Sequence, residues 1–565
     1  MSRFTVLITL RRVILWTTAT GAAVALFLIA TLPPRPSTAI DRAEDVEETR
    51  TVRGAYHVHS TVSDGIRDRS AIAEAAADAG LGFVIFTDHG DGTRQPEPPA
   101  YIAGVLCLDA VEISTDGGHY VAIDMHPSPY PLGGEPAAVV EDVRRLGGIG
   151  IVAHPYSVKE GLRWTDWSAA VDGIEWLNAD SEWRDESRLR LLRTPFDYLF
   201  RPAPALAAML DRPVETLARW DALATTRRVT GIAAHDAHGG LALGEEDGRR
   251  IGLPGIPSYR ASFEAFSVRA LLTEPLGGHA ASDARLIVDA LRGGKVYSAI
   301  DGIAAPVRLD FRARGDGGEA ASMGDSLPFG AGIVLSARAS MPSGARLVLI
   351  CNGREVAESS SGRLESSAAA PGACRIEVRS SGAPGAPAVP WITSNPVYLL
   401  AAEPGPILEE PVVEIARSFA GATWRVESDA GSRASIASTD DALRIDYTLG
   451  AGGRSSQYVA AVSDVTPPLP EYDRVLFAAQ AGAPSRLSVQ VRTHGPEQRW
   501  RKSIYVDTVP RRISVPVAEL IPVPGAGSLD RRSVTSLLFV VDLTNARPGT
   551  SGNLRISDVA FGVAR

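Results

Sequence analysis

The chain has 565 residues, 45% of them apolar and 22% charged, with a formal net charge of −9. That length exceeds a single hydrophobic core, and the composition excludes wholesale disorder, leaving about three folded units at roughly 100–200 residues each. The mild negative balance, with no cluster of Lys and Arg, excludes a dedicated nucleic-acid surface.

The first predicted element is apolar. Val13 to Leu32 runs 20 residues without a charge, enough to span a bilayer as a helix. Arg3, Arg11 and Arg12 precede it; Asp41, Glu44, Asp45, Glu47 and Glu48 follow it. The positive-inside rule therefore leaves residues 1–12 in the cytoplasm and the rest of the chain outside. Signal-peptide apolar regions are shorter, about 7–15 residues, which favours an uncleaved anchor over cleavage near Ser37–Ala39 and secretion. Residues 33–50, proline-rich and then acidic, read as a linker.

From residue 51 to about 300, short apolar runs alternate with helical stretches. After a first strand ending in "YHVH", strands are predicted at 82–88, 104–113, 119–125, 148–154, 173–178, 229–235 and 267–273. Helices are predicted over 70–80 and 137–148, each closed by a glycine. The alternation indicates an α/β fold on a parallel sheet, open or closed. Residues 301–402 turn to β-like runs broken by Gly, Ser and Pro, which suits a β-sandwich. Cys351 and Cys374 lie in two of these runs, either as a disulfide in an oxidising compartment or as two free thiols. A linker at 401–411 leads to a second all-β unit over 411–565.

Metal-ligand side chains gather at the ends of the α/β strands. His57 and His59, one residue apart, share a strand face by alternation, so both imidazoles reach one ion. Asp64 follows the first strand, His89 the second, and Glu112 lies near the end of the third. His119 opens the next run, "IVAHP" supplies His154, and "AAHDAH" supplies Asp236 and His238. In barrels and open α/β sheets alike, strand carboxyl ends converge on one mouth. Nine candidate ligands are thus expected in one place.

The motifs "HVHSTVSDG", "FTDHG", "VEIS" with "GHY", "IVAHP" and "HDAHGG" together resemble the polymerase and histidinol phosphatase (PHP) superfamily of metal-dependent hydrolases, over residues 53 to 300. The resemblance implies a distorted seven-stranded (β/α)7 barrel holding two or three divalent ions, Zn, Mn or Fe. It places the first ion on His57, His59, Glu112 and Asp236. Glu112 would bridge to a second ion on His119 and His154, and Asp64, His89 and His238 would hold a third. A water bridging two ions is then the nucleophile, with Glu112 as the catalytic bridging ligand. His235 departs from the small residue usual before the D-x-H pair, and is either a support to a ligand or substrate-facing.

The implied substrate is a small phosphoester, for which Lys159, Arg163 and Arg184 are the candidate anion-binding residues. The tail after the barrel is similar to that of an exported branch whose relatives hydrolyse aryl carbamate esters, so ester or amide hydrolysis is the alternative. A non-catalytic glycan or cell-envelope binding protein is a further one. The C-terminal unit resembles galactose-binding-like jelly rolls, in which Trp424, Tyr458 or Trp500 would meet a glycan if exposed; burial in the sandwich core is the favoured expectation.

Overall fold

The computed structural model describes residues 3–38, 40–41, 50–246, 249–380, 382–401, 413–439, 442–452, 457–494 and 498–565, and the side chains of these except at 3–13, 41 and 241–254. The chain divides into two compact units: 1–86 with 99–108 and 175–401, and 87–98 with 109–174 and 402–565. The expected linker at 401–411, apart from Ala401, lies outside the described residues, as does most of 39–49.

In chain order, helix α1 (Arg3–Ala30) precedes strand β1 (Thr51–Val58), helix α2 (Arg69–Asp78), and strands β2 (Phe83–Phe86) and β3 (Val105–Asp109). Then come β4 (Val111–Thr115), β5 (Gly118–Ile123), α3 (Pro136–Arg145), β6 (Ile149–Val152) and β7 (Gly173–Asn178). Helices α4 (Ala179–Arg184), α5 (Arg188–Phe200), α6 (Pro202–Ala207) and α7 (Val214–Ala224) lead to β8 (Thr230–Ala234), β9 (Ser267–Leu271) and β10 (Val296–Ala299). Beyond these, β11 (Arg346–Cys351), β12 (Gly372–Arg379) and β13 (Ile392–Ser394) belong to a region of strands that continues to Ala564. The two predicted helices form, each starting one residue earlier than expected and ending two and three residues earlier, respectively. Asp68 caps α2 by accepting from the Ala71 amide at 2.8 Å, and Pro136 opens α3 where a missing amide proton costs nothing.

Among the described residues no helix is long and apolar enough to cross a membrane. The side chains of α1 are described from Ile14 onward, and of these Leu15, Trp16, Leu26 and Phe27 are exposed.

In the first unit the main sheet runs β3–β2–β1–β9–β10–β13–β12. It is mixed where a parallel sheet was expected: β1 pairs β2 in parallel but β9 in antiparallel, and β9–β10 and β10–β13 are antiparallel. The sheet also continues past residue 300, because Ser298 of β10 pairs with Thr393 of β13. Asn395 reinforces that continuity, its buried amide donating to the carbonyls of Gly231 and Val296 at 2.8 Å each. A four-stranded sheet, whose longer strands are Leu309–Arg314, Val334–Ala339 and Arg363–Ser367, is the other layer of β-structure in this region.

Cys351 and Cys374 are direct register partners on β11 and β12, 4.1 Å apart at Cα, and are joined by a disulfide. Constraining a segment of this separation, 23 residues, stabilises by about 3 kcal/mol in the chain-entropy view. Replacing both cysteines with Ser should lower the non-reducing urea midpoint accordingly. Dithiothreitol should move the wild-type midpoint and leave that of the double variant in place.

In the second unit β4 and β5 form an antiparallel hairpin across Asp116–Gly117, where the residue with positive φ is the following Gly118, at 110°. β5 pairs antiparallel with β6, and Ile151 of β6 pairs in parallel with Gly173 of β7. The C-terminal part is a sandwich of two six-stranded sheets around Tyr472, Phe477, Trp500, Phe539 and Phe561. One sheet meets α3 through buried Arg486, which donates to Asp142 and Glu141 at 2.7 Å and to the Ala138 carbonyl at 2.8 Å. The Ser503 amide adds a bond to Glu135, and the Arg145 guanidinium stacks 3.7 Å from the Tyr505 ring centre. Trp500 is buried with its indole N–H on the Gly527 carbonyl, and Trp424 packs on Phe419 and Phe539. Tyr458, half-buried, packs against Ala460, Val462, Leu538 and Val540.

Candidate metal centre

In the first unit the chain turns sharply at its candidate ligands. His57 has φ 62° and Asp236 has φ 46°, values that residues other than glycine rarely adopt and that cost about 1–3 kcal/mol each. At His57 the pairing of β1 with β2 skips from Ala55 to Val58. Strand alternation, the expected reason for a shared face, therefore fails here. The left-handed residue swings the ring instead, bringing His57 Nε2 to 3.1 Å from His59 Nε2. Gly65 permits the return of the "SDG" loop, since a Cβ there would lie 2.3 Å from the His59 carbonyl oxygen.

Five predicted ligands of this unit meet: His57, His59, Asp64, Asp236 and His238. Asp236 Oδ1 lies 3.5 Å from His57 Nε2 and 3.4 Å from His59 Nε2; Asp64 lies 3.4 Å from His59 Nδ1 and 3.2 Å from His238 Nε2. Burial pushes the Asp236 carboxyl up, but His57, His59 and His238 together hold it well below the usual carboxylate range. Burial and the neighbouring His59 push His238 down, towards the neutral imidazole that ligates metal.

In the second unit His89, Glu112, His119 and His154 form a second group. Glu112 is buried, and its Oε1 lies 2.8 Å from His119 Nδ1 and 3.0 Å from His154 Nε2. Its Oε2 lies 3.2 Å from His89 Nδ1. One ligand atom from each of His89, Glu112 and His119 lies within 4.8 Å of the other two. His154, at φ 29°, is a third ligand candidate in the left-handed region.

Proton placement tests whether these donors suit a cation. His57 Nδ1 faces Glu175 Oε1 at 2.5 Å, His154 Nδ1 the Leu162 carbonyl at 3.0 Å, and His238 Nδ1 the Asp236 carbonyl at 2.9 Å. Each Nδ1 has an oxygen acceptor, so in the neutral imidazole it carries the proton and Nε2 keeps a lone pair. Those lone pairs point at carboxylate oxygens: Asp236 for His57, Glu112 for His154, Asp64 for His238. His238 Nε2 is buried and makes no aligned hydrogen bond despite its 3.2 Å approach to Asp64. In that form lone pair faces lone pair, a repulsion that a proton or a divalent cation shared by the two atoms removes. The residues fit such ions.

Glu175 is a candidate functional residue that the strand-end reading misses. It is buried in the middle of the apolar run "GIEWLN", orients His57, and is itself held by the Asn178 amide at 2.7 Å. A charge inside an otherwise apolar strand was the available signal.

Among the predicted substrate residues, His235 adjoins Asp236 on the wall of a cavity. Lys159 is exposed, and Arg163 is exposed with its Nε on the Ser157 carbonyl. Arg184 pairs with Asp180 at 2.6 Å over the Trp183 ring. His235 is buried, stacked on Phe266, with its ring nitrogens facing the carbonyls of Tyr56 and Phe266; burial pushes it down to about 4. Asp236 and His238 border a cavity of about 180 Å³ whose other walls come mostly from α4, α5 and the α6 region.

No protein-family model matches the chain, and no curated protein does. Among solved structures it is similar to a two-domain protein from Bacteroides vulgatus containing a predicted PHP-like metal-dependent phosphoesterase, at 13% identity and a TM-score of 0.30, over 64% of this chain and 99% of that one. It is also similar to the family 11 carbohydrate-binding module of the Clostridium thermocellum cellulase Lic26A-Cel5E, at 18% identity and a TM-score of 0.22, over 27% of this chain and 96% of that one. A carbohydrate-binding module of the β-sandwich superfamily aligns at 10% identity and a TM-score of 0.20, over 46% of this chain and 98% of that one. All three likenesses fall short of the similarity that fixes a fold.

Proposed function

We propose that the chain is a metal-dependent hydrolase of the PHP type that its motifs resemble, a phosphoesterase held outside the cytoplasm by its N-terminal segment. The observation that carries this reading is the set of three histidines with Nδ1 anchored on oxygen and Nε2 aimed at a carboxylate. Neutral imidazoles so arranged are pre-oriented to ligate a metal ion beside the carboxylates.

Divalent ions held there supply Lewis acidity that activates water and neutralises charge at the phosphoryl group under attack. His57, His59, Asp64, Asp236 and His238 are the ligands of the first unit, and His89, Glu112, His119 and His154 those of the second. Glu112 offers both carboxylate oxygens, one to His119 and His154 and the other to His89, which suits a bridging role. Glu175 and Asn178 keep His57 in the tautomer that binds. In the reaction the oxygen of water joins phosphorus, the P–O bond to the alcohol breaks, and the water proton leaves with the alcohol.

The location rests on the uncharged run Val13–Leu32 and on the exposed apolar side chains of α1. Ester or amide hydrolysis at the same centre is favoured by one observation: the described cavity lining contains no Lys or Arg to clamp a phosphate.

The test is elemental analysis of the full chain purified without chelator, alongside turnover of p-nitrophenyl phosphate and acetate. Two or three equivalents of transition metal, with phosphate turnover that chelation abolishes and Mn or Zn restores, is the expected result. Acetate turnover alone moves the assignment to the ester hydrolase. A metal-free protein, inactive after Mn or Zn is added back, overturns both.

A further inference from the structure

The metal-ligand cluster of the first unit opens on hydrocarbon. Between Asp236 and His238 on one side and Leu191, Tyr198, Leu206, Met209, Leu210 and Phe266 on the others lies the cavity of about 180 Å³. A space walled by aliphatic and aromatic groups beside charged ligands suits a molecule with one polar and one apolar end.

Helix α5 forms one wall of that cavity and is apolar on its outer side as well. Leu189, Leu192 and Leu199 are 81%, 79% and 76% exposed, and Phe200 is also exposed. At spacings of three and seven residues, the three leucines make a continuous stripe on one face of the helix. Isolated exposed leucines are ordinary, but a stripe beside exposed Arg188 and half-buried Arg190 has the composition of a helix that lies on an anionic lipid surface. Its position supports that partner. Arg193 of α5 donates to the Leu28 carbonyl near the end of α1 at 2.7 Å, and Arg201 donates to the Pro33 carbonyl. The helix is thereby tied to the exit of the apolar N-terminal segment, whose own Leu26 and Phe27 are exposed.

We infer that the substrate is an amphiphile, an ester whose alkyl or acyl chain fills this cavity, taken from a lipid surface on which α5 rests. The inference rests on the hydrolase reading and extends it by naming the substrate class. The ester is cut as described above, and the alcohol that leaves carries the alkyl or acyl chain.

Two measurements test it. The first is turnover of alkyl phosphates from methyl to octyl by the full chain, with binding of octyl phosphate to metal-free protein read by the fluorescence of Trp183, a cavity residue, against a Trp183→Phe control. kcat/KM should rise roughly threefold per methylene until the cavity is full, and the fluorescence change should vanish in the control. Turnover independent of chain length, or a fluorescence change that survives the control, overturns the cavity assignment. The second reconstitutes the full chain in phosphatidylcholine vesicles containing dioleoyl phosphatidate. Leu192→Glu with Leu199→Glu should slow phosphatidate hydrolysis about tenfold or more while p-nitrophenyl phosphate turnover stays unchanged, since neither leucine lines the cavity. Equal loss on both substrates, or loss on neither, overturns the role of α5. Absence of turnover on every ester, short or long, would instead remove the hydrolase reading itself, and this inference with it.

Discussion

Replacing Glu112 with Ala should reduce kcat/KM for a phosphoester by about 10³ or more and should lower the bound metal by at least one equivalent. The expectation follows from the second-unit cluster, where one buried carboxylate faces three imidazoles at 2.8, 3.0 and 3.2 Å. Removing it leaves His89, His119 and His154 with no anion between them, so a cation placed there loses its only negative ligand in that group. Glu112→Gln keeps the volume and loses the charge, and should behave almost as badly. Glu175→Gln should do less, about 10–100-fold, because it orients His57 rather than bearing charge on the ion. Neither change touches the sandwich core around Phe477, Phe539 and Phe561, so thermal unfolding of that part should be unaltered. Undiminished turnover by Glu112→Ala would sink the mechanism, whereas a loss of turnover with metal content intact would locate Glu112 in the chemistry alone.

That the nine candidate side chains gather into clusters was legible because each stands at, beside or shortly after the end of an apolar run, where buried polar groups need partners. What turned them toward one another was not. The left-handed backbone at His57, His154 and Asp236 leaves no trace in the sequence, since histidine and aspartate carry no preference strong enough to announce it. Sheet direction was misjudged for a readable reason: Asp116–Gly117 between two short strands is a hairpin signal, and it makes β4 and β5 antiparallel. Helix α5 escaped because "RLRLLRTPFDYLF" has apolar residues on two faces and Pro195 inside, so no single stripe marks it. The sheet that joins β10 to β13 depends on partners nearly a hundred residues apart, a pairing that no local pattern specifies.

That long-range join leads to the second large effect. Arg375 of β12 is buried and fixed by two bonds to Asp221 of α7, at 2.7 and 2.9 Å, and one to Glu377 at 2.7 Å. Glu377 is buried too and also accepts from Arg379 at 2.7 Å and from Arg212. Breaking such a cluster from one side strands the remaining charges, so Arg375→Met should destabilise by about 3–5 kcal/mol at neutral pH. The pH dependence gives the argument its sign. Burial pushes the Glu377 carboxyl up, but the attraction of Arg375, Arg212 and Arg379 outweighs it and holds the group at about 2, against an ordinary 4.5. A depressed carboxyl contributes stability that is fully present above 4.5 and lost as pH falls through 2, here roughly 3 kcal/mol. Glu377→Gln should therefore be less stable than wild type at pH 7 and converge on it near pH 2. In Arg375→Met the carboxyl loses its largest partner and its folded-state value rises, so the acid-dependent loss should be smaller than in wild type and complete at a higher pH. Urea midpoints measured at pH 7, 4 and 2.5 decide the matter. Parallel pH profiles for all three proteins would mean that these charges, however close, do not hold α7 to the sheet.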